Sequence, residues 1–243
     1  VLWCDADGNL FPSEEPAFEA SVVVMQAMLA SLGVDVALDP EQLRRETTGL
    51  NFRTTALRLM SESGVSLPAP TLEEWVRKER EEVTHHLSVV LSPDADVVAP
   101  LARLSQSMAL VAVSSSALAR LDACFTATGL SELIPADRRF SAEDSLPTPT
   151  SKPDPAIYVH ACRALGVAAA DTCAVEDSVP GVQAAVDAGI PTVGNVQFVP
   201  ASERRTRVGE LEAAGAFRVV ASWEELEGLL SAPEMTMRAS TGR

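Results

Sequence analysis

Two carboxylates one residue apart, Asp5 and Asp7, end a short apolar run, Val1-Leu2-Trp3-Cys4, and are followed by Gly8-Asn9-Leu10. Such a run has the pattern of a strand buried on both faces, and Gly8 and Asn9 let the backbone turn sharply. Alternation along a strand points Asp5 and Asp7 the same way, so they repel when both are ionised. A cation, a shared proton or water makes such a pair tolerable. Taken alone, Asp-x-Asp fits a solvated strand end better than a site. Three more stretches decide against that reading. Met108 to Val113 is apolar and runs into Ser114-Ser115-Ser116; Thr172 to Val175 runs into Glu176-Asp177; and Lys152-Pro153-Asp154-Pro155 holds one of only two lysines in the chain.

If the three strands are neighbours in a parallel sheet, these polar groups meet at the carboxyl ends of the strands, where sites in such sheets sit. Four carboxylates converge stably around a hard cation, and an oxygen-rich set of this kind suits Mg²⁺. A carboxylate nucleophile, a second carboxylate two residues on, a hydroxyl, a lysine and Mg²⁺ together describe phosphoryl transfer, which is mostly positioning and charge neutralisation. Asp5 is the expected nucleophile and Asp7 the expected acid and base. Ser114, with Ser115 beside it, Lys152 and the backbone N–H groups of the turn at Asp7-Gly8 are the expected phosphate contacts. A serine nucleophile has no support, since no GxSxG surrounds the triple serine and no histidine pairs with it.

The elements that must position these groups follow from periodicity. Ser13 is expected to cap a helix with Glu14 and Glu15 in its first turn and a stripe of Phe18, Val22, Met25, Leu29 and Leu32. A second helix opens at Asp39-Pro40, a third runs through Leu57 and Met60 to Gly64, and Thr71 to Glu74 reads as the capping box of a fourth that reaches Val90. No strand interrupts residues 14–90, which therefore form a separate helical unit. Beyond it strands and helices alternate, so the fold class is α/β with a parallel sheet. A helix follows Ser116, a short strand lies near Phe140, and Asp154 and Pro155 open another helix. Pro191 to Val193 and Phe217 to Val220 add strands, and Ser222 caps a final helix. Residues 231–243 lack periodicity and read as a frayed tail.

Composition narrows the partners. In 243 residues, 47% hydrophobic, the net charge is −15, which argues against nucleic acid and anionic membranes because both demand a basic face. No apolar run approaches the roughly 20 residues that span a bilayer, and the first residues do not read as a signal peptide. Four scattered cysteines without C-x-x-C spacing read as buried reduced thiols, and the expected compartment is cytoplasmic.

In this order, Asp5-Ala6-Asp7-Gly8-Asn9-Leu10, Ser114 after an apolar strand, Lys152-Pro153-Asp154-Pro155, and Glu176-Asp177-Ser178-x-x-Gly181 with Ala184-Ala185 and Ala188-Gly189 resemble the haloacid dehalogenase superfamily, within it the helical-cap phosphatases and the beta-phosphoglucomutase-like branch. The resemblance covers residues 1 to about 230. It implies a Rossmann-like core of residues 1–13 and 91–230 with an inserted all-helical cap, 14–90. It also implies Mg²⁺ held by Asp5, the backbone carbonyl of Asp7, Asp177, and Glu176 directly or through water. Asp7 speaks against the dehalogenases, which lack an acid there. The loop Leu146 to Ser151 departs from the family by its length and its Pro and Thr content. By analogy alone, Arg53, after Gly49-Leu50-Asn51-Phe52, and Lys78 are candidates to contact substrate from the cap. Arg77 to Glu82 otherwise reads as a solvated face, and His85 and His86 as surface.

Three functions fit. The first is a Mg²⁺-dependent phosphatase of small phosphomonoesters, of the sugar phosphate or sugar-acid phosphate class, acting as a monomer or weak dimer. The second is a phosphosugar mutase on the same scaffold. The third is a noncatalytic binding protein, which would have no need of a nucleophile. Sugar mutases resembling this family carry a histidine at the start of the cap, whereas no histidine precedes His85 here; the expectation is release of inorganic phosphate.

Overall fold

The structure, a computed structural model, describes residues 1–40, 43 and 52–231. The expected second helix after Asp39-Pro40, the stretch Gly49-Leu50-Asn51 and the tail beyond Ser231 fall largely or wholly outside the described residues.

The sheet is built from runs that can be buried on both faces. β1 (Leu2–Cys4), β2 (Leu110–Ser114), β3 (Arg139–Ser141), β4 (Cys173–Glu176), β5 (Thr192–Asn195) and β6 (Arg218–Val220) form one sheet of order β3-β2-β1-β4-β5-β6, parallel throughout. This is the doubly wound order, in which the chain steps outward from β1 on one side and then crosses to β4 on the other. The architecture is the expected α/β, Rossmann-like one. Register pairs Cys4 with Ala112 on one side and with Val175 on the other. The residues that follow, Asp5, Val113 and Glu176, are therefore level across the sheet.

Packing follows the strand alternation. Trp3, Val111, Val113 and Ala174 share one buried cluster with Ile157, Tyr158 and Ala161 of α6 (Ala156–Leu165) and with Ala184 and Ala185 of α7 (Val179–Asp187). Small residues on α7 let its backbone approach the sheet closely. The remaining helices of this unit are α4 (Ala95–Leu104), α5 (Leu118–Ala127), α8 (Arg204–Ala213) and α9 (Trp223–Ser231). The edge strand β3 carries a buried Arg139, whose Nε donates to Ile134 O at 3.0 Å while its guanidinium pairs with Asp122 at 2.7 Å and covers the Phe125 ring.

Several expectations about single elements need correction. α4 was not expected; Pro100 inside it breaks the helical pattern, yet it packs on α9, and Arg103 makes a bidentate pair with Glu227 at 2.6–2.8 Å. Thr71 is not a cap, because α3 (Ala69–Val90) begins two residues earlier, after Pro68. Ser13 precedes α1 (Glu14–Ser31) in helical backbone conformation and does not make the expected capping bond. The Asp154 carboxylate does close an opening turn, accepting from the N–H of Ala156 at 2.9 Å, but α6 starts one residue later than expected.

By contact the chain divides into two compact units, Val1–Pro12 with Leu91–Arg243, and Ser13–Val90. The second is all-helical among its described residues: α1, α2 (Phe52–Glu62) and α3 close over Met25, Met28, Leu29, Phe52, Ala56, Met60 and Leu72. On its solvated side Arg77 and Glu81 pair one turn apart at 2.7 Å.

Candidate active site

The turn after β1 sets the geometry. Gly8 takes φ +76°, a left-handed conformation that costs glycine little, and its N–H donates to Phe11 O at 3.0 Å. That N–H, expected from the sequence to contact phosphate, is engaged within the turn instead; the part Gly8 plays here is conformational. Asn9, wholly buried, ties the turn to the sheet. Its Nδ2 donates to Asp5 O (3.0 Å) and Val175 O (3.1 Å), joining the ends of β1 and β4, and its Oδ1 accepts from Asn195 Nδ2 at 2.9 Å. Trp223 Nε1 donates to Asn9 O at 2.9 Å.

Lys152 arrives from the loop before α6. Its Nζ lies 2.6 Å from Asp5 Oδ1, 2.6 Å from Glu176 Oε1 and 2.8 Å from Val113 O. Three strand ends, β1, β2 and β4, are thus drawn to one ammonium whose side chain is 5% exposed. Burial alone would push this lysine down, but Asp5 and Glu176 outweigh it and hold it above the usual range, so it is charged. Burial pushes Glu176 up to about 7 against the pull of Lys152, and Asp5 also lies above the usual carboxylate range for the same reason. One ammonium does not satisfy two buried carboxylates.

Asp7 lies on the other side of the turn. Its Oδ1 accepts from Arg120 of α5 at 2.9 Å and its Oδ2 from Ser116 Oγ at 2.7 Å; Ser114 Oγ is farther from Oδ2, at 3.5 Å. Ser114 Oγ also accepts the Ser116 N–H at 3.0 Å, and Ser115 Oγ accepts the Lys152 N–H at 3.1 Å. The three serines therefore connect β2 to both Asp7 and Lys152. The loop Leu146 to Ser151 is tied at its far end, where Thr150 N–H reaches Ala142 O at 3.0 Å and Thr150 Oγ1 reaches Asp154 at 3.0 Å.

Asp5, Glu176 and Asp177 each offer a carboxylate oxygen within 4.8 Å of the others, and all three are buried. Glu176 Oε2 is buried and accepts no hydrogen bond, while Oε1 takes both Lys152 and the Tyr158 hydroxyl. A Cβ at Gly181 would overlap this carboxylate, so only glycine fits there. All-oxygen donors, an excess of negative charge and one unused buried oxygen suit a hard divalent cation such as Mg²⁺. Arg207 donates to the carbonyl of Asp177 at 3.0 Å and braces the turn that carries it.

Arg53 and Lys78 belong to the helical unit. Arg53 pairs with Glu73 on α3, and the Lys78 ammonium lies 4.3 Å above the Trp75 ring. Sequence reasoning missed Ser116, Arg120, Tyr158 and the Asn195–Asn9–Trp223 chain. Tyr158 was detectable in principle: it is the single tyrosine, in an apolar helix after Lys152, and a buried hydroxyl needs a partner.

The family described as haloacid dehalogenase-like hydrolase matches residues 5–189, a span that holds every one of these carboxylates, the serines and Lys152. The chain belongs to that family. Protein CbbY of Cereibacter sphaeroides is 31% identical to it over 236 residues, 93% of each chain. The 6-phosphogluconate phosphatase of Escherichia coli (strain K12) is 29% identical over 190 residues, 78% of this chain and 79% of that one. A solved haloacid dehalogenase-like protein of unknown function from Agrobacterium tumefaciens superposes with a TM-score of 0.70 at 26% identity, covering 95% of this chain and 96% of that one. The chain is therefore an enzyme of the hydrolase type. Among the described residues no helix is long and apolar enough to cross a membrane.

Proposed function

We propose that this hydrolase is a phosphatase that cleaves small phosphomonoesters, of the sugar phosphate or sugar-acid phosphate class, through an aspartyl phosphate on Asp5. The observation that carries the reading is Lys152, bonded at once to Asp5 and Glu176, with Asp7 two residues beyond the nucleophile. The buried ammonium binds and orients: it fixes the Asp5 carboxylate and brings positive charge to where phosphoryl oxygens collect. Asp5 attacks phosphorus as the bond to the leaving oxygen breaks, and Asp7 gives that oxygen its proton, releasing the alcohol. Asp7 then takes a proton from water, the water oxygen bonds to phosphorus, the bond to Asp5 breaks, and inorganic phosphate leaves.

Asp5, Asp177, Glu176 and the backbone carbonyl of Asp7 would hold Mg²⁺. When bound, the ion neutralises phosphoryl charge and the excess carboxylate charge of the site. Ser114 and Ser115 are the proposed hydroxyl contacts to phosphate, and Arg53 and Lys78 the proposed contacts of the helical unit, acting as a cap, with the leaving group. The E. coli relative's name, a phosphatase of 6-phosphogluconate, supports the sugar-acid class.

The test is ³¹P NMR of the enzyme with Mg²⁺ and a panel that includes 6-phosphogluconate and glucose 1-phosphates. We expect inorganic phosphate from at least one substrate, and none from Asp5→Asn. Isomerised sugar phosphate accumulating faster than phosphate would replace the proposal with a mutase; no turnover of any phosphate ester would leave a binding protein.

A further inference from the structure

Tyr158 is the only tyrosine in the chain, wholly buried in α6, and its hydroxyl donates to Glu176 Oε1. The same oxygen also receives Lys152 Nζ, so Oε1 has two donors and Oε2 none. A carboxylate on a strand end can rotate about its last torsion, which is a soft one. Two donors on one oxygen, the Lys152 ammonium from the loop that leads into α6 and the Tyr158 hydroxyl from α6 itself, remove that freedom. We propose that Tyr158 is a positioning residue for the divalent cation: by engaging Oε1 it turns Oε2 of Glu176 into the oxygen offered to the metal or its water. The inference rests on the metal reading above and goes further, assigning which Glu176 oxygen serves and what enforces the choice.

Lys152 alone does not suffice. It divides its donors among Asp5, Glu176 and the Val113 carbonyl. If Asp5 turns to phosphorus during reaction, the ammonium is drawn with it, and Tyr158 is the donor whose position does not depend on Asp5. The ring belongs to the buried cluster that includes Trp3, Val113, Ala174 and Ala184, and that packing keeps the hydroxyl from following the lysine. Partners of this kind, one bond removed from the metal, change affinity by about 10–100-fold when removed.

The experiment is calorimetric titration of Mg²⁺ into wild-type protein and Tyr158→Phe, which keeps the ring and deletes the hydroxyl. Binding is expected to weaken by about tenfold, with kcat recovered at saturating Mg²⁺. Equal Mg²⁺ affinity in the two proteins would overturn the inference. A second measurement keeps the Tyr158 hydroxyl: protein containing 3-fluorotyrosine has one ¹⁹F resonance, which should shift on Mg²⁺ addition with the calorimetric midpoint and stay fixed when the proposed ligand is removed in Asp177→Asn. A wild-type protein that binds Mg²⁺ without moving this resonance would sink the role of Tyr158 alone. Failure of the wild type to bind Mg²⁺ at all would remove the metal reading first and this inference with it.

Discussion

Arg120 reaches across from α5 to within 2.9 Å of Asp7 Oδ1, and Ser116 takes the other oxygen at 2.7 Å. The carboxylate proposed to carry protons is thus gripped from two sides. Arg120→Ala should lower kcat on the order of tenfold to a hundredfold, the cost of a misplaced group near the reacting atoms. Arg120→Lys keeps the charge but loses the planar fork and should recover only part of the loss. Steady-state kinetics on both variants checks this; unchanged kcat in Arg120→Ala would remove the arginine from the scheme.

Lys152 pairs with two buried carboxylates at once. Replacing it with methionine leaves Asp5 and Glu176 without a counter-charge, which should cost roughly 3–5 kcal/mol of stability. Thermal or urea unfolding reads the loss. Mg²⁺ should restore part of it in the variant by supplying the missing positive charge, and a variant as stable as the wild type without Mg²⁺ would contradict the ion-pair geometry.

Chelation is the direct test of the metal. Activity should vanish in EDTA and return with Mg²⁺. Ca²⁺ should inhibit, because its larger and looser coordination would misplace the nucleophile. Full phosphate release in EDTA would rule the cation out.

The thiols should be inert. Cys4, Cys124 and Cys162 are buried, and burial pushes Cys124 and the half-buried Cys173 up to about 12. Thiolate is therefore scarce at neutral pH. Iodoacetamide at pH 7.5 should leave native activity unchanged and label all four cysteines only after unfolding, as intact-mass measurement would report. Rapid labelling with loss of activity would contradict that burial.

Strand ends were the readable part. Asp5, Ser114 and Glu176 each follow an apolar run, and a parallel sheet brings such ends to one edge whatever the side chains do afterwards. Lys152 was legible because lysine is so scarce in this chain. Arg120 was not, since its meeting with Asp7 spans 113 residues and depends on the rotation of α5, which no local pattern encodes. α4 was hidden by Pro100, whose helix-breaking tendency is overridden by burial of Val97, Leu101 and Leu104. Gly8 was read as a phosphate donor because the turn was visible in sequence while the Phe11 carbonyl that closes it was not.

Asn9 bonds the carbonyl of Asp5, the proposed nucleophile, and the indole that bonds its own carbonyl lies 214 residues later. β1 itself occupies the middle of the sheet, between β2 and β4, although it precedes both in the chain. During synthesis β1 must therefore wait, unpaired, while more than a hundred residues emerge before its first neighbour and about sixty more before its second. Such long-range closure slows folding. The turn after β1 gains its bond from Trp223 only when α9 has been made and docked, so a nascent chain carrying every proposed catalytic carboxylate would still be an idle one.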